Sequence, residues 1–157
     1  MKDVKFEPWV DEMLAEHRAL HESIDEVRDF LAQPRPAVGQ KGSHTWAAML
    51  SQHLVALHDQ LFRHFRAEEQ DGMMRDLAER YPRAWKRVEV MIGQHAKILA
   101  DMRTLMSSAM EYADGIPPSD PRLRQKLRKV LDELKAHEEA EIDLIQRMYY
   151  NDIGTGD

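Results

Sequence analysis

Four stretches of the chain repeat apolar residues at intervals of three and four, the spacing that lays one stripe along an amphipathic helix. The first runs from about residue 9 to 32, with Trp9, Val10, Met13, Leu14, Leu20, Ile24, Val27 and Leu31 on its stripe. Pro8 suits the opening turn, and Pro34 and Pro36 end the helix. The second spans about 44–71, capped by Ser43, with Trp46, Leu50, Leu57 and Leu61 in phase; Gly72 permits a break, and "MMRDLAERYP" adds a short turn before the next helix. The third covers about 82–113 through Val88, Met91, Ile92, Ile98, Leu99, Met102 and Leu105. The fourth covers about 121–150, capped by Ser119 or Asp120, through Leu123, Leu127, Val130, Leu131, Leu134, Leu144, Ile145 and Met148, followed by a frayed tail, "NDIGTGD". No run alternates as a strand would. The linkers "AQPRPAVGQKG" and "ADGIPPSD" are short enough to join antiparallel neighbours. The pattern predicts an all-α, up-down-up-down antiparallel four-helix bundle.

The polar residues that interrupt these stripes change the picture from scaffold to chemistry. His17 and His21 lie on the inner face of the first helix, His53, His64 and Glu68 on the second, His95 on the third, and His137 and Glu141 on the fourth. A buried imidazole or carboxylate without a partner costs several kcal/mol, about 2–7 even for a neutral group. Residues i and i+4 stack on one helix face, so "HFRAE" and "HEEAE" each aim a histidine and a glutamate at one point. One such pair is common on solvated helices; two, each in phase with an apolar stripe, point to a shared site.

Helix rise allows a check on depth. His95 stands 18 positions before Ala113 and His137 stands 17 after Asp120, so they are level to about 1.5 Å. His17 is 15 positions before Ala32 while His64 is 21 after Ser43. That offset of about 9 Å requires the second helix to overhang the first.

The chain also resembles itself. "EHRALHESIDEV" set over "QHAKILADMRTL" puts His17 on His95, Leu20 on Ile98, Ile24 on Met102 and Val27 on Leu105; His64 and Glu68 overlay His137 and Glu141. Placing His21 on His95 instead would put Asp25 and Arg28 on apolar positions. Two similar hairpins would thus form a pseudo-twofold site in which two carboxylates bridge a pair of cations, imidazoles fill terminal positions, and open positions take water or a small ligand. Histidine with carboxylate suits iron or manganese better than calcium or magnesium, and zinc accepts the same groups.

Composition narrows the classes. The 157 residues fit a single domain, 1–157, with room for a core; 43% are hydrophobic and 32% charged, and no apolar run approaches the roughly 18 residues of a membrane span. Acids in "MKDVKFEPWVDEM" fall where a secretory leader needs an apolar stretch, so the expected location is cytoplasmic. A net charge of −6 argues against nucleic acid as partner, and the basic residues of "PRLRQKLRK" surround their helix as a solvated start. With no cysteine among the residues, thiolate chemistry and Cys-held metal are excluded. No nucleophile constellation or phosphate-cradling glycine loop is present.

The combination of His17, "HFRAE", His95 and "HEEAE" resembles the hemerythrin-like HHE cation-binding domain, across residues 9–150. The resemblance implies a non-haem, oxo- or hydroxo-bridged diiron centre held by His17, His64, Glu68, His95, His137 and Glu141, with Glu68 and Glu141 bridging, and a role in binding, sensing or reacting with dioxygen, peroxide or nitric oxide, or in handling iron. Oxygen-carrying members present two histidines one turn apart on the third helix and HxxxxD on the fourth. Here Leu99 stands in place of the second histidine and the fourth helix has HxxxE, which departs from reversible oxygen transport. His21, one turn after His17, is either a fifth imidazole from the opposite side or a neighbour that hydrogen-bonds a ligand. A weak peroxidase or catalase-like activity is compatible with such a centre but is not predicted. A metal-stabilised bundle, holding zinc or iron, that docks a protein partner is the alternative function. His53 reads as a core or channel residue about 16 Å from His64 along the axis. His44, His58, Glu138 and Glu139 read as solvated, with a place just behind the ligands as the alternative for Glu138 at the edge of the stripe, the methionines as filler, and Tyr112, Tyr149 and Tyr150 as bundle-end packing, with electron relay or donation to an iron-bound ligand as their alternative.

Overall fold

A computed structural model describes residues 8–36, 40–70, 73–115 and 122–155, excluding the side chains of 8–10, 73 and 149–155. Among them there is no strand. Four long helices, α1 (Pro8–Ala32), α2 (Ser43–Gln70), α4 (Trp85–Ala113) and α5 (Leu123–Thr155), enclose the core, and a short α3 (Met73–Arg80) closes one end. The side chains of Trp9, Val10, Tyr149 and Tyr150, the break at Gly72 and the cap at Ser119 or Asp120 lie outside the described residues.

Two boundaries differ from the sequence reading. The third long helix begins at Trp85, because Pro82–Ala84 forms a 3-10 turn after α3, and proline offers no N–H to an α-helical ladder. The tail continues α5 to Thr155 instead of fraying at Tyr150, since no proline stands between them to stop the backbone hydrogen bonds.

Around the bundle α1 packs on α2 and α5, and α4 packs on the same two helices. Residue numbers fall on one helix as they rise on its neighbour. Asp25 pairs with Lys135, and Arg28 with Asp132, across α1 and α5; Lys97 pairs with Glu133 across α4 and α5. On the α1–α2 side Phe30 stacks on Trp46 at 5.6 Å and also meets His53 at 4.9 Å, so the end of α1 lies about a turn and a half up α2. The overhanging start of α2 packs instead on the end of α4: Trp46 meets Tyr112 edge-on, and a ring nitrogen of His44 donates to the Ala113 carbonyl at 3.0 Å. The Pro-rich linker follows this overhang, its Pro36 carbonyl accepting from the Tyr112 hydroxyl at 2.9 Å. The expected offset is met in this way.

The apolar interior is divided in two. The larger cluster contains Leu20, Ile24, Leu57, Leu61, Phe65, Ile98, Met102 and Leu134. The smaller, towards α3, contains Met13, Met74, Leu77, Tyr81, Met91, Leu144 and Ile145. On α1, α4 and α5 the residues between these two clusters are the inward-facing histidines and glutamates, and His64 and Glu68 of α2 join them at the edge of the larger cluster, so a polar layer crosses the bundle between two apolar ones.

Candidate metal centre

His17 on α1, His64 and Glu68 on α2, His95 on α4 and His137 and Glu141 on α5 all reach this layer. His17, Glu68 and Glu141 have no exposed surface, and the least buried of the six, His64, is 7% exposed. Their ligand atoms form two overlapping sets, His17, His64, Glu68 and Glu141, and His95, His137, Glu68 and Glu141, with all atoms of a set within 4.8 Å of one another. The two histidine pairs are near copies. Rings of His17 and His64 meet edge-on at 4.7 Å and 85°, those of His95 and His137 at 4.9 Å and 72°.

Each carboxylate spans the two sets. Glu141 turns Oε2 to His17 at 2.9 Å and Oε1 to His137 at 2.7 Å and His95 at 3.3 Å. Glu68 turns Oε1 to His64 at 2.8 Å and Oε2 to His95 at 3.1 Å. One oxygen per side is the arrangement in which a carboxylate bridges two cations.

The outer ring nitrogens settle which nitrogen points inward. Nδ1 of His17 donates to the Met13 carbonyl at 2.7 Å, that of His95 to Glu69 at 3.0 Å and that of His137 to Gln94 at 2.7 Å. With Nδ1 carrying the hydrogen, Nε2 of a neutral ring presents a lone pair to the centre, the orientation that metal-ligating histidines take from their outer partners.

Without cations, protons must do the neutralising. Burial opposes the charged form of His17, but the nearby carboxylates of Glu138 and Glu141 outweigh it and raise its pKa to about 10. Burial likewise opposes charge on His95, which Glu141 and Glu68 nonetheless raise to about 9, and His64 is driven well above its ordinary value by Glu138, Glu141 and Glu68 against the same burial. Among the acids, burial would raise Glu141, yet imidazoles from His137, His17, His64 and His95 hold it well below the usual carboxylate range. Glu68 goes the other way: burial, reinforced by the Glu141 charge, outweighs His64 and His95.

Several of the short contacts are not hydrogen bonds. Nε2 of His64, Nε2 of His137 and both oxygens of Glu68 approach opposite charges at 2.7–3.1 Å but lack a partner along a hydrogen-bond direction. These atoms belong to the two donor sets. Buried polar atoms without hydrogen-bond partners are rare, and metal cations held by those sets would satisfy them. The donor set of imidazole nitrogen and carboxylate oxygen fits transition-metal cations better than calcium or magnesium.

The chain belongs to the hemerythrin HHE cation binding domain family, whose pattern matches residues 9–149. No curated protein and no solved structure matches it. As a hemerythrin-domain protein it is a metal-binding helical chain, and among its described residues no helix is long and apolar enough to cross a membrane.

One residue of the centre escaped the sequence reading. Glu138, read as solvated at the edge of the stripe, is fully buried and lies 3.0 Å from Nε2 of His17 and 3.3 Å from Nε2 of His64. Burial would raise its pKa, but those two imidazoles lower it. The available signal was its position three residues before Glu141, which places both carboxylates on one α5 face. His21 belongs to neither donor set; it is half-buried, and the fifth group beside His17 and His64 is Glu138. His53 is half-buried against Phe30. His44 and Glu139 are exposed, whereas His58 is half-buried beside Asp59, away from the centre. Tyr112 is buried packing.

Proposed function

We propose that this chain is a cytoplasmic non-haem diiron protein of up-down-up-down bundle architecture, whose centre binds, senses or reacts with dioxygen, peroxide or nitric oxide, or serves to handle iron. His17 and His64 would hold one ion, His95 and His137 the other, with Glu68 and Glu141 bridging. The observation that carries this reading is the division of each bridging carboxylate, one oxygen to each histidine pair. Opposed residue numbering across the helix contacts supports the up-down order. Bound iron would supply redox chemistry and open positions for a small ligand. The protein's own groups do the rest: Met13, Glu69 and Gln94 orient the rings, and the apolar clusters on either side exclude bulk water from the layer.

Two grooves reach the layer from outside at positions related by the internal repeat. One, of about 310 Å³ between α1 and α2, ends on His64 between Leu20 and Ala67; the other, of about 390 Å³ between α4 and α5, ends on His137 between Ile98 and Ala140.

Metal analysis with optical spectroscopy tests the proposal. Purified protein should hold two iron ions per chain and absorb in the near ultraviolet, and Glu68→Ala and Glu141→Ala should each lose that absorption. A colourless protein holding one zinc ion would favour the metal-stabilised docking module instead. Adding dioxygen, peroxide or nitric oxide to the reduced protein then separates the ligands by which one shifts the spectrum.

A further inference from the structure

The two halves of the centre are not equivalent. When "HFRAE" is set on "HEEAE", the residue after the histidine is Phe65 on α2 and Glu138 on α5, and both are buried. Phe65 lies flat on the His95 ring, 3.9 Å between centroids and 5° between planes, and meets His137 edge-on at 5.6 Å. It walls that half with carbon. Glu138 instead faces His17 and His64 at 3.0 and 3.3 Å, and neither of its oxygens has a hydrogen-bond partner. Removing a carboxylate from water is costly unless a counter-charge is present; protons on His17 and His64 supply it in the metal-free chain, and a cation between those rings would supply it in the loaded one. Glu138 stands outside the four-donor set that includes Glu68 and Glu141, yet it approaches the same inward-facing Nε2 atoms of His17 and His64 that they do. The slot that would add a donor to the other half, one turn beyond His95, holds Leu99, which packs against the apolar cluster.

We propose that Glu138 is a terminal ligand to the cation between His17 and His64, so that the two positions differ in affinity: that position retains its ion, and the one between His95 and His137 exchanges. This rests on the two-cation reading above. The retained position has two imidazoles and three carboxylates, the exchangeable one two imidazoles and two carboxylates. Both positions have a groove to the surface, so access does not distinguish them. Donor count and charge do.

The test uses the full chain, freed of metal and titrated anaerobically with ferrous iron, followed by challenge with graded ferrous chelator. Wild type should release iron in two steps, one ion leaving at low chelator and the other resisting. Glu138→Gln should weaken the resistant step at least about 10-fold, the low end of what altering groups around a metal site costs, merging the two steps, while Glu139→Gln on the exposed face should leave both in place. His95→Ala supplies an independent arm that leaves Glu138 intact: it should retain one resistant ion, and His17→Ala should retain none. Release of two ions in one step by wild type, or unchanged steps in Glu138→Gln together with equal retention by His95→Ala and His17→Ala, would overturn the inference and leave the two-cation centre standing. Failure of wild type to take up two ions would instead overturn the reading beneath it.

Discussion

Neutralising Glu68 and Glu141, the two acids shared by both donor sets, one at a time should move the stability of the metal-free chain unequally. Glu141→Gln removes the charge that pairs with His17 at 2.9 Å and His95 at 3.3 Å in the buried layer. Hydrogen bonds to charged groups contribute about 1.5–3 kcal/mol each, and stripping one partner from a buried ion pair costs about 3–5 kcal/mol, so a loss of at least about 3 kcal/mol is expected. A chain of this size loses about 2–4 °C per kcal/mol, which puts the drop at about 6–12 °C for the lower figure. Glu68→Gln should cost less: burial and the Glu141 charge already disfavour its carboxylate form, so a neutral amide there removes a weaker charge interaction than at Glu141. Thermal and urea unfolding of both variants at neutral pH in chelator reads the contrast directly. Equal destabilisation by the two substitutions would show that the electrostatic asymmetry between the bridges is wrong. Both variants should nevertheless fail to hold two ions, because bridging needs a charged oxygen on each side.

Stability of the metal-free chain should depend on alkaline pH. His17 and His95 have folded values of about 10 and about 9, above the unfolded value of about 6.5, so their contribution is complete below that value and is lost as pH rises through 9 to 10; urea midpoints across pH 6–11 check this, and a flat profile would contradict it. Over the same range metal uptake should strengthen, since cations displace those protons, and a proton count by pH-stat titration during loading measures the exchange. Phe65→Ala removes a fully buried ring stacked on His95 and should cost about 3–5 kcal/mol in chemical unfolding; a loss below about 1 kcal/mol would mean the wall is not packed as described. His21→Ala should leave metal content and absorption unchanged, and a lost iron band would return His21 to the ligand set.

The periodicity of apolar residues was sufficient for the helices, because burying a stripe is a local pattern at fixed spacing. Histidine and glutamate at i and i+4 were legible for the same reason: helix geometry alone makes them neighbours. Boundaries were less secure where a three-residue turn separates α3 from α4, since proline marks a stop without specifying whether a 3-10 or an α turn follows. Glu138 was misjudged because position i+1 from a histidine lies at the edge of a stripe, and whether an edge residue is wet depends on how closely α1 approaches α5. His21 was ambiguous for the same reason at the edge of α1.

From its sequence alone this protein was determined to be helical, free of cysteine chemistry, and equipped with two matched pairs of inward imidazole and carboxylate. Those are properties of one helix at a time, set by a repeat of 3.6 residues per turn. The spacing already required α2 to overhang α1, but only tertiary structure decided that this brings His17 and His64 together, that Glu68 and Glu141 each divide their oxygens between the pairs, and that Glu138 faces one half while Phe65 walls the other. Those depend on the rotation and register of packed helices, which follow from how side chains of separate segments interlock and are written in no single stretch of the chain.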